Sequence, residues 1–176
     1  KEIIMSCSLQ HQTNSVDDLF HAIVQLNPMQ KKFVESSWKN LTCAEQNELQ
    51  LYLQYSLSTG LTIAEMAKAY DVIVKDTFKE QMYFKRHGHY RYSHYDEVAS
   101  DVYQNSDYMN YYMVGLAISG YLWPNHVELH RFYQHWLTED HCGRYLEIGP
   151  GHGYYFMQAA RTGKFTHYQG VDISPS

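Results

Sequence analysis

One stretch constrains this chain more than any other: Tyr145-Leu146-Glu147-Ile148-Gly149-Pro150-Gly151-His152-Gly153-Tyr154-Tyr155, followed at a short distance by Gly170-Val171-Asp172-Ile173-Ser174. An apolar run enters a glycine-rich turn, passes into a helical pattern and leads to a second apolar run that closes on an acid. That order reads as strand, turn, helix and strand. Glycines at alternate positions leave the inside of the turn without Cβ atoms, so the backbone is free to take left-handed dihedrals and to approach a ligand closely. The helix that follows offers N–H groups with no intrahelical partner. Asp172 stands beyond the second run, where a carboxylate accepts hydrogen bonds from the hydroxyls of a ribose.

Spacing separates two kinds of nucleotide cofactor. The dinucleotide fingerprint is Gly-x-Gly-x-x-Gly. Counted from Gly149 its third glycine falls on Tyr154, and counted from Gly151 it falls on Phe156. An NAD(P)-dependent oxidoreductase is therefore the rival reading, not the first. The segment instead resembles the class I S-adenosylmethionine-dependent methyltransferases. Their first motif, acid-x-Gly-x-Gly-x-Gly, is matched by Glu147, Gly149, Gly151 and Gly153, and their acid at the end of the second strand is matched by Asp172. The resemblance implies that Gly149, Pro150, Gly151 and Gly153 shape the turn against the methionine part of S-adenosylmethionine. It places Glu147 near the amino group of that cofactor, Asp172 on the ribose, and Ile173 and Ser174 beside the adenine. It also implies methylation of a small-molecule acceptor at oxygen, nitrogen or carbon.

The expected architecture is a mostly α N-terminal region, residues 1–140, followed over residues 141–176 by the first β-α-β of a Rossmann-like α/β methyltransferase fold. By resemblance, the helical region roofs a substrate pocket or builds a homodimer. A lone strand–helix–strand unit does not cover both faces of a parallel sheet, so the expectation is of a truncated enzyme. A non-catalytic helical dimerisation or partner-binding module is the third reading.

Helix signals fill the first part of the chain. Ser15-Val16-Asp17-Asp18 reads as a start ahead of Leu19, Phe20, Ile23, Val24 and Leu26, and Asn27-Pro28 as a restart ahead of Phe33, Val34 and Trp38. Thr42-Cys43-Ala44-Glu45 and Thr62-Ile63-Ala64-Glu65 are capping boxes, and Gly60 and Gly88 are stops. The helix opened at Thr62 is expected to run through Phe78, Met82 and Phe84 to Gly88, with Asp71 the point where a break would fall. A new start is expected at Ser93-His94-Tyr95-Asp96, another at Asp107, and a last helix after Trp123-Pro124-Asn125. The link to the cofactor part falls between Thr138 and Gly143.

Bulk properties exclude several function classes. A net charge of −5 supplies no basic face for nucleic acid. Cys7, Cys43 and Cys142 form no Cys-x-x-Cys and no paired framework, which fits a reducing cytoplasm. No apolar run approaches the roughly 18–20 residues of a membrane span, and no apolar region follows Lys1 to make a secretory signal.

Four further constellations carry chemistry. Leu61 to Val72 reads first as a capped amphipathic helix; it also resembles the first half of a helix-turn-helix, better suited here to dimerisation than to DNA, since Ile73 to Glu80 is mixed in charge. The aromatic and basic run Tyr83 to Tyr95 suggests a loop over an active site. In it Tyr90 and Tyr92, joined by Tyr108 and Tyr112 of the next helix, are candidates to line a substrate pocket, and His87, His89 and His94 are candidate proton acceptors. His126 and His130, four apart, share a helix face in the manner of metal ligands, but with no third ligand they read as a surface pair. His152 is expected to point outward while the turn's backbone does the binding. No catalytic base and no metal site is assigned.

Overall fold

The computed structural model describes residues 15–92, 94 and 106–173. In chain order they form α1 (Ser15–Leu26), a 3-10 turn (Pro28–Gln30), α2 (Lys31–Asn40), α3 (Cys43–Ser58), α4 (Ile63–His87), α5 (Ser106–Leu122), α6 (Pro124–Thr138), β1 (Arg144–Ile148), α7 (Tyr154–Thr162) and β2 (His167–Val171). The protein is mostly helical, with a small parallel sheet of two strands. The helix start expected at Ser93, Tyr95 and Asp96 lies outside the described residues. No helix among the described residues is long and apolar enough to cross a membrane.

The local signals act as their chemistry dictates. At α3 the Thr42 hydroxyl accepts from the Glu45 N–H at 3.3 Å, and the Glu45 carboxylate accepts from the Thr42 N–H at 2.7 Å. Thr62 and Glu65 repeat the reciprocal pair at α4, at 3.2 and 2.8 Å. Each cap satisfies donors that the first turn leaves open and is worth about 1 kcal/mol. Glu45 does more: its oxygens also accept from Arg131 Nε at 2.6 Å and Nη2 at 2.8 Å. That fork from α6, with the capping bonds, holds the Glu45 carboxyl down at about 2.

The helix opened at Thr62 runs to Gly88 as expected, and the optional break at Asp71 does not occur. α4 is one helix of 25 residues, and Asp71 sits buried inside it, paired with Lys75 one turn on. An aspartate with a cation at i+4 carries its own local compensation, so it does not interrupt the helix. The same continuity removes the helix-turn-helix reading, because nothing separates a second helix from the first. Gly88, at φ +74°, ends α4 in the left-handed conformation.

Packing proceeds from α1 outward. Val16, Leu19 and Ile23 bury one face of α1 against Leu49 and Leu53 of α3, Met66 and Tyr70 of α4, and Ile118 and Leu122 of α5. Tyr70, fully buried, donates to Gln30 Oε1 and accepts from Trp123 Nε1, both at 3.2 Å, so its hydroxyl is satisfied where it lies. Burial pushes that phenol up to about 12. α4 and α5 cross closely at Gly115, where any Cβ would stand 2.4 Å from the Ala69 carbonyl oxygen and 2.5 Å from Ile73 Cγ1.

A second, smaller core joins Leu137 of α6, Tyr145 of β1, Ala159 of α7 and Phe165. β1 and β2 run parallel with Arg144 opposite His167 and Ile148 opposite Val171. Tyr145 and Tyr168 therefore share the face that this core covers, while Leu146, Ile148 and Val171 lie on the other, exposed face. The link expected from Thr138 to Gly143 joins α6 to β1, and Lys164 pins it by donating to the carbonyls of Leu137 and Glu139, each at 2.7 Å.

Gly115→Ala is expected to lower stability by about 1–3 kcal/mol, the usual scale of overpacking, because backbone on one side of the added methyl leaves no room to give. Denaturant unfolding of the variant checks this; an unchanged midpoint would mean that α4 and α5 move apart freely.

Candidate functional site

The turn after β1 is built by its glycines. Gly149, Gly151 and Gly153 stand at φ +68°, +54° and +78°, all left-handed, a conformation that costs other residues about 1–2 kcal/mol each. Gly149 N–H donates to the Val171 carbonyl at 2.7 Å, continuing the ladder past β1, and Gly153 N–H donates to the Pro150 carbonyl at 2.8 Å. Space around the turn is open: a Cβ on Gly149 or Gly153 would meet nothing within 4 Å, and one on Gly151 would meet only Met113 Sδ, at 3.7 Å. Gly153 caps α7 without any side-chain bond.

The acid read at the end of the second strand lies against this turn. Asp172 Oδ2 accepts from the Gly151 N–H at 3.4 Å, across 21 residues of sequence. Parallel pairing of β1 with β2 brings it there, since both strands end at the same edge of the sheet. Ile173, exposed, follows it, and Ser174 lies outside the described residues. Pro150 closes the turn over β2, its Cγ 3.5 Å from where a Gly170 side chain would begin.

Glu147 is placed differently from its neighbours in the motif. It shares the covered face of the sheet with Tyr145, whose hydroxyl donates to Glu147 Oε2 at 2.7 Å. Tyr145 also meets the Tyr133 hydroxyl at 2.8 Å, which in turn reaches the Tyr155 carbonyl at 3.1 Å. Two phenolic protons serve three contacts, and the carboxylate is the strongest acceptor among them. Burial raises the Glu147 carboxyl above its usual range, with the Tyr145 bond opposing.

The candidate substrate tyrosines do converge. Tyr90, Tyr92 and Tyr108 line a cleft of about 560 Å³ with Asp76, Lys79, Glu80 and Arg91. Tyr112 stacks on Tyr108, with ring centroids 5.9 Å apart. The Tyr108 hydroxyl donates to Asp76 Oδ2 at 3.0 Å. The run after α4 folds back on its end: Phe84 meets Tyr90 at 4.9 Å and the Arg91 guanidinium lies over Tyr83 at 4.8 Å. His87 and His89 flank Tyr83 in the same cluster. The cleft and the glycine turn share α5, since Met113, next to Tyr112, is the residue that packs on Gly151.

Three histidines stand otherwise than the sequence suggests. His130 is no surface residue: it is buried, and stacks face to face on Tyr154 at 3.9 Å. His126 is half-buried, with its Nδ1 3.1 Å from the Ser119 hydroxyl. His152 does not point outward. It turns into a groove walled by Tyr52, Tyr121 and Tyr154. Pattern reading could not find this, because the partners of these rings come from distant helices. Burial, reinforced by His152 and His126 for the first ring and by His126 for the second, lowers both His130 and His152 to about 4. Among the described residues no group of three or more His, Cys, Asp or Glu could hold a metal ion.

Comparison of the chain with protein families, curated proteins and solved structures returns no match.

The two depressed histidines set a pH dependence. Unfolded histidine titrates near 6.5, whereas His130 and His152 in the folded chain take a proton only near pH 4. Between those values the unfolded chain binds more protons, so stability falls as pH drops from 6.5 towards 4, and these groups contribute no slope above that window. Unfolding midpoints at pH 7 and pH 5 should differ less for His152→Gln than for the wild type; equal differences would mean that His152 is not held neutral by burial.

Proposed function

We propose that this chain carries the cofactor-binding part of an S-adenosylmethionine-dependent methyltransferase that acts on a small-molecule acceptor, on the start of a Rossmann-like α/β fold. The observation that carries the reading is the meeting of three left-handed glycines with the Asp172 carboxylate at one end of a parallel strand pair. Open space beside Gly149 and Gly153 is what a ligand lying against the turn requires. The dinucleotide rival is disfavoured by Tyr154, a buried ring where that fingerprint needs a glycine.

The residues divide the work by position. Gly149, Pro150, Gly151 and Gly153 receive the methionine end of the cofactor along the backbone. Asp172, exposed at the rim, accepts hydrogen bonds from vicinal hydroxyls, with Ile173 offering an apolar edge to a base. Glu147, already bonded to Tyr145, acts through the sheet: its charge favours an ammonium group near the turn. The bound cofactor would supply a methyl group already activated by its sulfonium. What remains for the protein is to position the acceptor in line and to keep water out, and alignment of that kind accounts for a large part of such a rate.

Calorimetric titration of S-adenosylhomocysteine into the chain should give micromolar binding. Asp172→Ala, folded by circular dichroism, should weaken it about tenfold or more, ~1.4 kcal/mol. Absence of binding to the folded wild type would reject the reading.

A further inference from the structure

We propose that the groove between α3 and α7 is the acceptor subsite of this methyltransferase, and that it takes a planar aromatic compound bearing a hydroxyl and an acidic group. The acceptor role rests on the reading of the glycine turn given above; the shape and chemistry of the groove do not.

Two helices turn matching faces to it. α3 presents Glu48, Leu51, Tyr52 and Tyr55, and α7 presents Tyr154, Met157, Gln158 and Arg161; each set repeats at the spacing of one helix face. Tyr121 of α5 closes the floor, and the groove encloses about 480 Å³, well within the range of small-molecule sites. Its walls are large apolar side chains left uncovered. Leu51 and Tyr55 on the α3 wall and Met157 on the α7 wall are 55%, 68% and 43% exposed although all three line the groove. Rigid tyrosine rings with a thioether are surfaces on which a flat aromatic ring stacks.

Charge chooses among aromatic ligands. The Glu48 carboxylate is engaged within the protein, by Gln158 Nε2 at 3.4 Å and the Tyr154 hydroxyl at 3.5 Å. Arg161, one turn beyond Gln158 on the same face, is in no ion pair among the described residues. A guanidinium of this kind matches a carboxylate or similar anion. In the cleft at Tyr90 and Tyr92 the charges are matched internally: Arg91 pairs with Glu80 at 3.0 Å, and Asp76 serves Lys79 and Tyr108. That contrast favours the α3–α7 groove.

Position links the groove to the reaction. His152 stands between Gly151 and Gly153 in the turn and also lines the groove, so a ligand there abuts the cofactor seat. A phenolic oxygen of the acceptor would use a lone pair to form the O–CH3 bond. The C–S bond of the sulfonium breaks with its electron pair going to sulfur, S-adenosylhomocysteine leaves, and the phenolic proton passes to solvent.

The test is binding of 4-hydroxybenzoate to the full 176-residue chain by saturation-transfer NMR and equilibrium dialysis, with calorimetry of S-adenosylhomocysteine run separately. The proposal expects binding that Arg161→Ala and Tyr55→Ala, both changes at exposed side chains, weaken about tenfold or more. Phenol, which lacks the acid, should also bind about tenfold more weakly. No binding at millimolar concentration overturns the proposal, as does binding that Tyr92→Ala removes and Arg161→Ala leaves. If S-adenosylhomocysteine binds and the aromatic acid does not, the groove fails while the cofactor reading stands. The reverse result withdraws methyl transfer, and the acceptor role with it.

Discussion

Tyr154 stacked on His130 ties the helical core to the sheet unit at the point where the glycine turn becomes a helix. Tyr154 opens α7 directly after the glycine turn, and its ring lies at 3.9 Å and 16° to an imidazole presented by α6. A stacked pair is worth about 0.5–1.5 kcal/mol beyond the area it buries. Its hydroxyl accepts from Gln134 Nε2 at 2.8 Å, so the buried ring carries no orphaned polar atom. The arrangement depends on an absence one layer further in. A Cβ at Gly120 would stand 2.7 Å from His130 Cε1, and only a glycine there lets the imidazole lie flat between α5 and the tyrosine. Gly120 places His130, His130 places Tyr154, and Tyr154 fixes where the turn begins its helix.

That dependence has an electrostatic side. Tyr154, Tyr121 and the two histidines of the seam all titrate away from their ordinary values because burial disfavours the charged form, raising the phenols and lowering the imidazoles. The rings of the seam between core and turn are thus uncharged at neutral pH. Polar atoms reach it as neutral donors and acceptors, and charged side chains such as Glu48 and Arg161 stand at its margin. Near neutrality this is the low-cost way to bury so many polar rings.

Local chemistry was legible in the sequence wherever it is complete within a few residues. Both capping boxes, the stops at Gly60 and Gly88 and the proline-led starts of the turn at Pro28 and of α6 follow from neighbours along the chain. The glycine turn and Asp172 were legible for the same reason: strand, turn and strand carry their instructions in order. Failures came where a residue's meaning is set from another helix. His130 reads as a surface residue until Tyr154 arrives from 24 positions later and stacks on it. In α6 the apolar Leu129 and Phe132 face solvent, while Val127, His130 and Leu137 are the residues it buries, so apolar character alone does not mark its packed face. An aromatic-rich chain blurs the pattern, because a tyrosine or histidine is as ready to sit in a seam as on a surface.

The sheet poses the opposite problem, a pattern that is clear and only half used. Parallel strands normally carry apolar side chains on both faces because both are covered. Here Tyr145 and Tyr168 are packed, while Ile148, on the alternate face, is 80% exposed. The sheet is therefore held from one side, by α6, α7 and the aromatic cluster around Phe165. α5 then gives the turn its second support, because Met113 reaches Gly151 from the helix that Gly115 seats against α4. The aromatic cleft begins at Tyr108 on one end of that helix and the α3–α7 groove is floored by Tyr121 near the other. A helix seated backbone to side chain at its middle has little freedom to slide. Both cavities and the glycine turn thus share the one helix that the crossing at Gly115 seats against α4.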